Sequence, residues 1–382
     1  MSEWPMVKLK ELMRKTKSID PRKYPDEEFA LYSIPAYDNG IPEKIFGRDI
    51  GSSKILLKDS DVVLSKIVPH IRRTWVITDG EKQIGSSEWM VFNDDRFDPQ
   101  FIANYLKSDV FHCQLLTTVA GVGGSLNRAR PAAVAELKIP LPPLGEQKRI
   151  AEILGKTTGA ISSVQKQIEQ AKKLRSSIVG MASKMAVELR AISEYFDINP
   201  RQPRNIPDNA PTSFVPMANL DETFGISPIA SRFSEHKKGY TYFENGDILL
   251  AKITPCFENG KSAIAKLSTQ IGHGSTEFHV LRHKNHMHQD ACLSPLLAAA
   301  ILKQPSFLKP AENFMRGSAG QKRIPVSYIA SLKVPVLKSV ELEKIDQSLE
   351  IVEALLNLYH RKLSLLQELQ KSLATRAFAG LL

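Results

Sequence analysis

Cysteine is scarce in this 382-residue chain. Cys113, Cys256 and Cys292 are odd in number and far apart, which argues against a disulfide framework or a zinc module and leaves them as small hydrophobes. No run of about eighteen apolar residues occurs, so no membrane-spanning helix is expected. The opening MSEWPMVKLKELMRK lacks the apolar core of a signal peptide, and a cytoplasmic location is expected. The phosphate-loop pattern G-x-x-x-x-G-K-[ST] is absent, which argues against ATP hydrolysis. So are the aromatic-Gly-x-Gly and Asn/Asp-Pro-Pro-aromatic elements of an adenine methyltransferase. No nucleophile, base and orienting group fall into a catalytic constellation, so no catalytic residue is expected. Acidic residues are short as well: 41 against 51 Lys and Arg, a net +10. A basic excess favours a polyanionic partner, nucleic acid first, although charge alone fits other proteins equally.

What the chain does have is itself, twice. Ile19-Asp20-Pro21 matches Ile198-Asn199-Pro200 at an offset of 179, and Ser33-Ile34-Pro35 matches Phe214-Val215-Pro216 at 181. Asp61–Pro69 (DVVLSKIVP) matches Asp247–Pro255 (DILLAKITP) at 186, and Gly85–Trp89 matches Gly274–Phe278 at 189. Gly124–Arg128 lies opposite Ala319–Arg323 at 195, the offset that also aligns Glu136–Leu154 with Ser331–Leu349. The offset only grows, as loop insertions in the second copy would make it.

Each copy leads into a long apolar-striped segment. After Pro140, Pro142 and Pro143, the residues Leu154, Ile161 and Ile168 fall seven apart, and Val164, Ala171 and Ile178 form a second row three residues on. At the C-terminal end Leu349, Leu356 and Leu363 make one row, and Val352, Tyr359, Leu366 and Leu373 the other. These are heptad stripes of helices that pack on another long helix. Glu146 near the start, and Lys172, Lys173 and Arg175 near the end, suit the helix dipole. The second helix has to return along the first, so the pair is expected to be antiparallel. The 44 residues from Glu146 to Leu189 would span about 66 Å if wholly helical.

The fold class expected is α+β: two repeated globular domains separated by two long antiparallel coiled-coil helices, related by a pseudo-two-fold axis. The boundaries expected are 1–143 for the first domain, 144–189 for the central helix, 190–338 for the second domain and 339–382 for the C-terminal helix. Within each copy strands come first, at DVVLSKIVP, TWVITDG and EWMVFN and at DILLAKITP, SAIAKL and EFHVLRH. A helix is expected over Phe97–Leu116 and another over Leu293–Leu308. Asp197–Pro200 reads as a turn and Asn199–Pro211 as a loop.

Candidate sites are weighed against plain structure. The Gly-rich stretch Ala120–Ser125 precedes Arg128-Ala129-Arg130-Pro131 rather than opening a strand–turn–helix unit, and it reads as a turn, not a nucleotide pocket. His273, His279, His283, His286 and His288 fit no single helical or strand face, so no metal site is assigned. Glu88 and Glu277 match across the copies and read as structural or hydrogen-bonding groups. The positions that stand out are basic and amide side chains at matched loops: Lys66, Arg72, Arg73, Asn127 and Arg128 in the first copy, and Lys252, Lys261, Gln321, Lys322 and Arg323 in the second. Arg and Lys suit phosphates and guanine edges, and Asn and Gln suit adenine edges. Solvated surface charge is the alternative for each of them taken singly.

The lead-in Ile139–Pro143, the run Glu146-Gln147-Lys148-Arg149-Ile150, the strand Asp247–Ile253 and the terminal Ala377-Phe378-Ala379-Gly380 resemble the DNA-specificity subunits of type I restriction–modification systems. The second copy departs from the first, with Val336-Leu337-Lys338-Ser339 for the proline pair and Glu341-Leu342-Glu343-Lys344 for the Glu-Gln-Lys-Arg run. The resemblance implies that each globular unit is a target recognition domain reading one half of a bipartite site in double-stranded DNA. It implies that the helices dock two modification subunits, which carry S-adenosylmethionine and the adenine methylation chemistry, and that restriction subunits join them. This chain would then hold no cofactor, catalyse nothing alone and touch no membrane. The rival reading is a coiled-coil scaffold linking protein partners with only non-specific DNA affinity; a nuclease or methyltransferase with an unrecognised site ranks third.

Overall fold

The computed structural model describes residues 4–78, 80–120, 127–220, 228–236, 238–284, 291–318 and 320–382. Contacts divide the chain into two compact units, Met1–Ser162 with Ser364–Leu382, and Ser163–Leu363. Two helices contribute to both: a central one over Leu144–Met185 and a C-terminal one over Ser339–Phe378.

In the first unit a three-stranded antiparallel sheet is built from β1 (Val62–Ser65), flanked by β2 (Thr74–Val76) and β3 (Trp89–Phe92). A five-stranded sheet stands beside it, in which Glu28–Tyr32 pairs parallel with Gln83–Gly85. Two helices follow, α1 (Pro99–Lys107) and α2 (Asp109–Leu116). One helix was expected over Phe97–Leu116. Ser108 breaks it: its backbone is extended and its hydroxyl accepts from the Phe111 amide at 3.2 Å, an N-cap inside the run.

The second unit repeats the plan. β4 (Phe196–Ile198) precedes β5 (Ile248–Ala251), β6 (Ser262–Ile264) and β7 (Phe278–His283), arranged in the order β4, β7, β5, β6. Its second sheet also holds a parallel pair, Pro211–Val215 with Ile271–Gly274. Asp197–Pro200 therefore opens as a strand rather than a turn, and Asn199 then takes a left-handed φ of 54°. Leu293–Leu308 likewise resolves into α3 (Pro295–Leu302) and α4 (Pro305–Ala311), because Ser294 caps the first and Pro305 opens the second.

The duplication reaches down to single turns. Ahead of β1 the Asp61 carboxylate accepts from the Lys58 amide at 3.0 Å, and ahead of β5 Asp247 accepts from Glu244 at 2.7 Å. Both aspartates are buried, and each is neutralised by two guanidinium contacts, Asp61 by Arg14 and Asp247 by Arg282. The third turn residue is left-handed in both, Ser60 at φ 62° and Gly246 at φ 93°. A Cβ at Gly274 would come within 2.4 Å of the Val215 carbonyl, which fixes glycine there.

Along the central helix the inward positions advance by alternating steps of three and four, from Gln147 and Ile150 through Leu154, Val164, Ile168 and Ala171 to Arg175, Ile178 and Ala182, all buried; Ile161 is half-buried. Leu349, Val352 and Leu356 are buried on the C-terminal helix, while Tyr359, Leu363, Leu366 and Leu373 are half-buried. In the first unit the pair runs antiparallel: the Gln370 amide donates to Thr158 Oγ1 at 2.8 Å, and Arg149 Nη2 donates to the Leu382 carbonyl at 2.9 Å. Ala377 and Phe378 enter that unit's core with Ile150 and Leu154, and the Phe378 ring meets Tyr105 edge-on at 5.1 Å. In the second unit the two helices meet through a buried ion pair, Arg175 with Glu353 at 3.4 Å.

Candidate nucleic-acid interface

The loops that follow β1 and β5 are built alike. Lys66 donates its backbone amide to the Glu88 carbonyl at 2.9 Å, and Lys252 does the same to Glu277 at 2.9 Å. The Lys66 carbonyl accepts from Ala129 at 2.8 Å, the Lys252 carbonyl from Ile324 at 2.9 Å. Val68 donates to the Asn127 carbonyl at 3.0 Å, and Thr254 to Lys322 at 2.9 Å. Single β-bridges join Ile67 to Arg128 and Ile253 to Arg323. Each unit thus clamps three segments together: the end of the central strand, the Ser-x-Glu turn and the loop that carries the arginine.

Side chains complete the frame. Glu88 and Glu277 each donate a backbone amide to the serine two residues earlier, at 3.2 Å in both units. Their carboxylates meet the loop arginines: Arg128 Nη2 lies 3.1 Å from Glu88, and Arg323 donates through Nε and Nη2 to Glu277 at 2.9 and 2.8 Å. Arg323 holds the Glu277 carboxyl below the usual carboxylate range. The Lys66 ammonium donates to the Ser87 carbonyl at 2.5 Å. Glu277 thus hydrogen-bonds its loop arginine through two donors, and Glu88 meets its own as an ion pair.

The other sequence candidates fall in different surroundings. Gln321 and Lys322 are exposed beside Arg323, Asn127 is half-exposed beside Arg128, and Lys261 is half-buried at the start of β6, opposite Ala251. Arg73 is buried and grips Asp38 through two bonds of 2.8 Å. Arg72 donates to Asp109 at 2.6 Å and lines a cleft of about 600 Å³ with Gln100, Asn104, Lys107 and Lys371. Asp109 is held below the ordinary carboxylate range, by Arg72 first and Lys371 second.

The histidines do not converge. His273 is buried next to Thr212 and Gln202, and burial pushes it down to about 4. His279 lies 2.9 Å from the Ile324 carbonyl and 3.2 Å from Asn199. His286, His288 and Gly121–Ser125 lie outside the described residues. Among the described residues no group of His, Cys, Asp or Glu is placed to hold a metal, and no helix is long and apolar enough to cross a membrane.

Gln147 has a structural role that its position in the Glu-Gln-Lys-Arg run does not announce. Fully buried, its amide donates to the Arg96 and Pro142 carbonyls at 3.0 and 2.7 Å and accepts from the Asp98 amide at 2.8 Å. It ties the first turn of the central helix to the N-cap of α1. The signal was a glutamine on an apolar stripe position.

Fold and site together define a duplicated α+β protein that presents one basic loop frame per unit. Residues 1–173 match the family of type I restriction modification DNA specificity domains. Over 157 residues the chain is 40% identical to the type I restriction enzyme EcoEI specificity subunit of Escherichia coli, covering 40% of this chain and 25% of that one. It is 24% identical over 314 residues to the EcoKI specificity subunit of Escherichia coli K12, covering 73% and 65% of the two chains. The fold matches the crystal structure of the type I restriction–modification S subunit from M. genitalium with TM-score 0.59 at 13% identity, over 98% of this chain and 96% of that one. The first 173 residues are thus similar to the DNA specificity domain of type I restriction–modification systems. The aligned part spans about a quarter of the first of these relatives.

Proposed function

We propose that this chain reads a bipartite site in double-stranded DNA on behalf of a restriction–modification complex. Residues 1–143 and 190–338 are the two target recognition domains, each addressing one half of the site, and 144–189 and 339–382 are the spacer helices. The observation that carries this reading is the recurrence of one Lys–Glu–Arg frame in both units, on a chain with net charge +10 whose first 173 residues match a DNA specificity domain. Lys66, Asn127 and Arg128 in one unit, and Lys252, Lys261, Gln321, Lys322 and Arg323 in the other, are the side chains offered to DNA. Arg72 and Arg73 act through their carboxylate partners, shaping the loop after β1.

Two modification subunits dock on the helices and bring S-adenosylmethionine and adenine methylation; restriction subunits join the assembly, and the chain itself catalyses nothing. It works in the cytoplasm, where the DNA is. Ile351, Leu358 and Leu365 support docking, because they lie exposed at heptad spacing on the C-terminal helix. The test is to purify the tagged chain from its host and footprint DNA with whatever accompanies it. The expected result is a methyltransferase subunit at two copies per chain and protection of a split sequence. Binding that vanishes at moderate salt on every sequence, with unrelated proteins attached, would favour the scaffold.

A further inference from the structure

A loop arginine on a basic protein is a poor reader of sequence if it is free. It binds any phosphate it meets, and phosphate contacts carry affinity without discrimination. Neither Arg128 nor Arg323 is free: each is met by a carboxylate from the same unit, at matched positions. The arginines are the exposed partners, 63% and 42% by side chain, while both glutamates are at 24%. The glutamates are also the fixed partners. Their backbones are locked to Lys66 and Lys252 on one side and to the serine hydroxyls on the other. Glu88 Oε2 is buried and has no hydrogen-bond partner among the described residues. In the second unit Arg323 Nη1 also donates to the Gln321 carbonyl at 3.2 Å, which fixes the plane of the guanidinium.

We infer, resting on the DNA-reading role proposed above, that Glu88 and Glu277 are positioning residues for specificity. Each keeps its arginine beside a carboxylate, Arg323 in a fixed plane through two hydrogen bonds and Arg128 through one Nη2 contact, and so aims it at a guanine edge and denies it to phosphates. The fork of a guanidinium matches O6 and N7 of guanine only when its plane is set. A carboxylate beside the fork repels a phosphate that approaches the same donors, an element directed against the wrong contact. The frame occurs once per unit, so each glutamate governs one half of the site.

The experiment uses the chain purified with its partners, a pool of random duplexes for selection and sequencing, and one fixed non-cognate duplex titrated across salt. Glu88→Gln is expected to relax preference about tenfold at a position in one half-site only, and Glu277→Gln at the other. Both are expected to bind the non-cognate duplex more tightly, with a salt slope steeper by about one phosphate contact. Arg128→Lys keeps the charge without the fork, and is expected to lose the same half-site preference as Glu88→Gln while melting like the wild type. The inference is overturned if the glutamine variants select the wild-type sequence, or if they weaken binding equally on all sequences with a lowered melting temperature, as a purely structural ion pair would. It also falls if Arg128→Lys selects as the wild type does. A wild-type complex that selects no sequence at all would sink the DNA-reading role itself, a different result from unaltered variants.

Discussion

At the scale of single residues the two copies serve as each other's control. The turn before β1 puts Ser60 in the left-handed region, where the matched turn before β5 has Gly246. Left-handed backbone costs a residue with a Cβ about 1 kcal/mol relative to glycine. Ser60→Gly is therefore expected to raise stability, and Gly246→Ala to lower it, each by about 1 kcal/mol in urea denaturation. Opposite signs at equivalent positions are the outcome to look for; equal signs would mean that the Ser60 contact with Asp59 outweighs the backbone. The same scale shows where sequence reading stops. Arg73 and Arg128 looked alike as loop arginines, yet one is buried on Asp38 and the other exposed on Glu88. Asp38 is 35 positions from Arg73 in sequence, and no local pattern announces that they meet. Glu88 and Glu277 were legible as a matched pair because the repeat aligned them, but not as partners of the arginines.

At the scale of elements the heptads made the long helices legible, since the inward positions from Gln147 to Ala182 keep one period. What they hid was the exception within the stripe. Arg175 is buried against Glu353, and burial raises the Glu353 carboxyl while Arg175 pulls it down. Arg175→Leu is expected to cost about 3 kcal/mol at neutral pH, because it removes the guanidinium in contact with a buried carboxylate. A carboxyl raised in the folded state keeps its proton there at a pH where the unfolded chain has released it. The variant's deficit should therefore widen as pH rises above the ordinary value of 4.5 and close toward acid. Replacing both residues with leucine should be neutral or stabilising. Melting temperatures at several pH values check all three statements; a pH-independent deficit would show that lost packing, not charge, is responsible. The short helices were less legible, because Ser108 is as compatible with a helix interior as with a cap until its hydroxyl is seen to bind the Phe111 amide.

At the scale of the molecule, the order of matched blocks made the duplication plain and the second sheets were not foreseen. The first unit closes only with residues from the far end of the chain: Ala377 and Phe378 sit in the same core as Phe101, Ile150 and Leu154. Phe378→Ala is expected to destabilise that unit by about 3 to 5 kcal/mol. Amide hydrogen exchange should report the loss in β1, β3 and α1 while protection in β5 and β7 stays as it was. Loss of protection in both sets would mean that the two units unfold as one.

Synthesis runs in one direction, and the closure by Phe378 sets its timetable. Residues 163–363 form one continuous stretch, so the second unit has all of its parts once they have left the ribosome. The first, though translated earlier, waits with part of its apolar interior uncovered until the helix carrying Ala377 and Phe378 emerges. The unit translated earlier is the later one to be finished, and a nascent chain stalled before residue 377 would present that open core to chaperones and proteases.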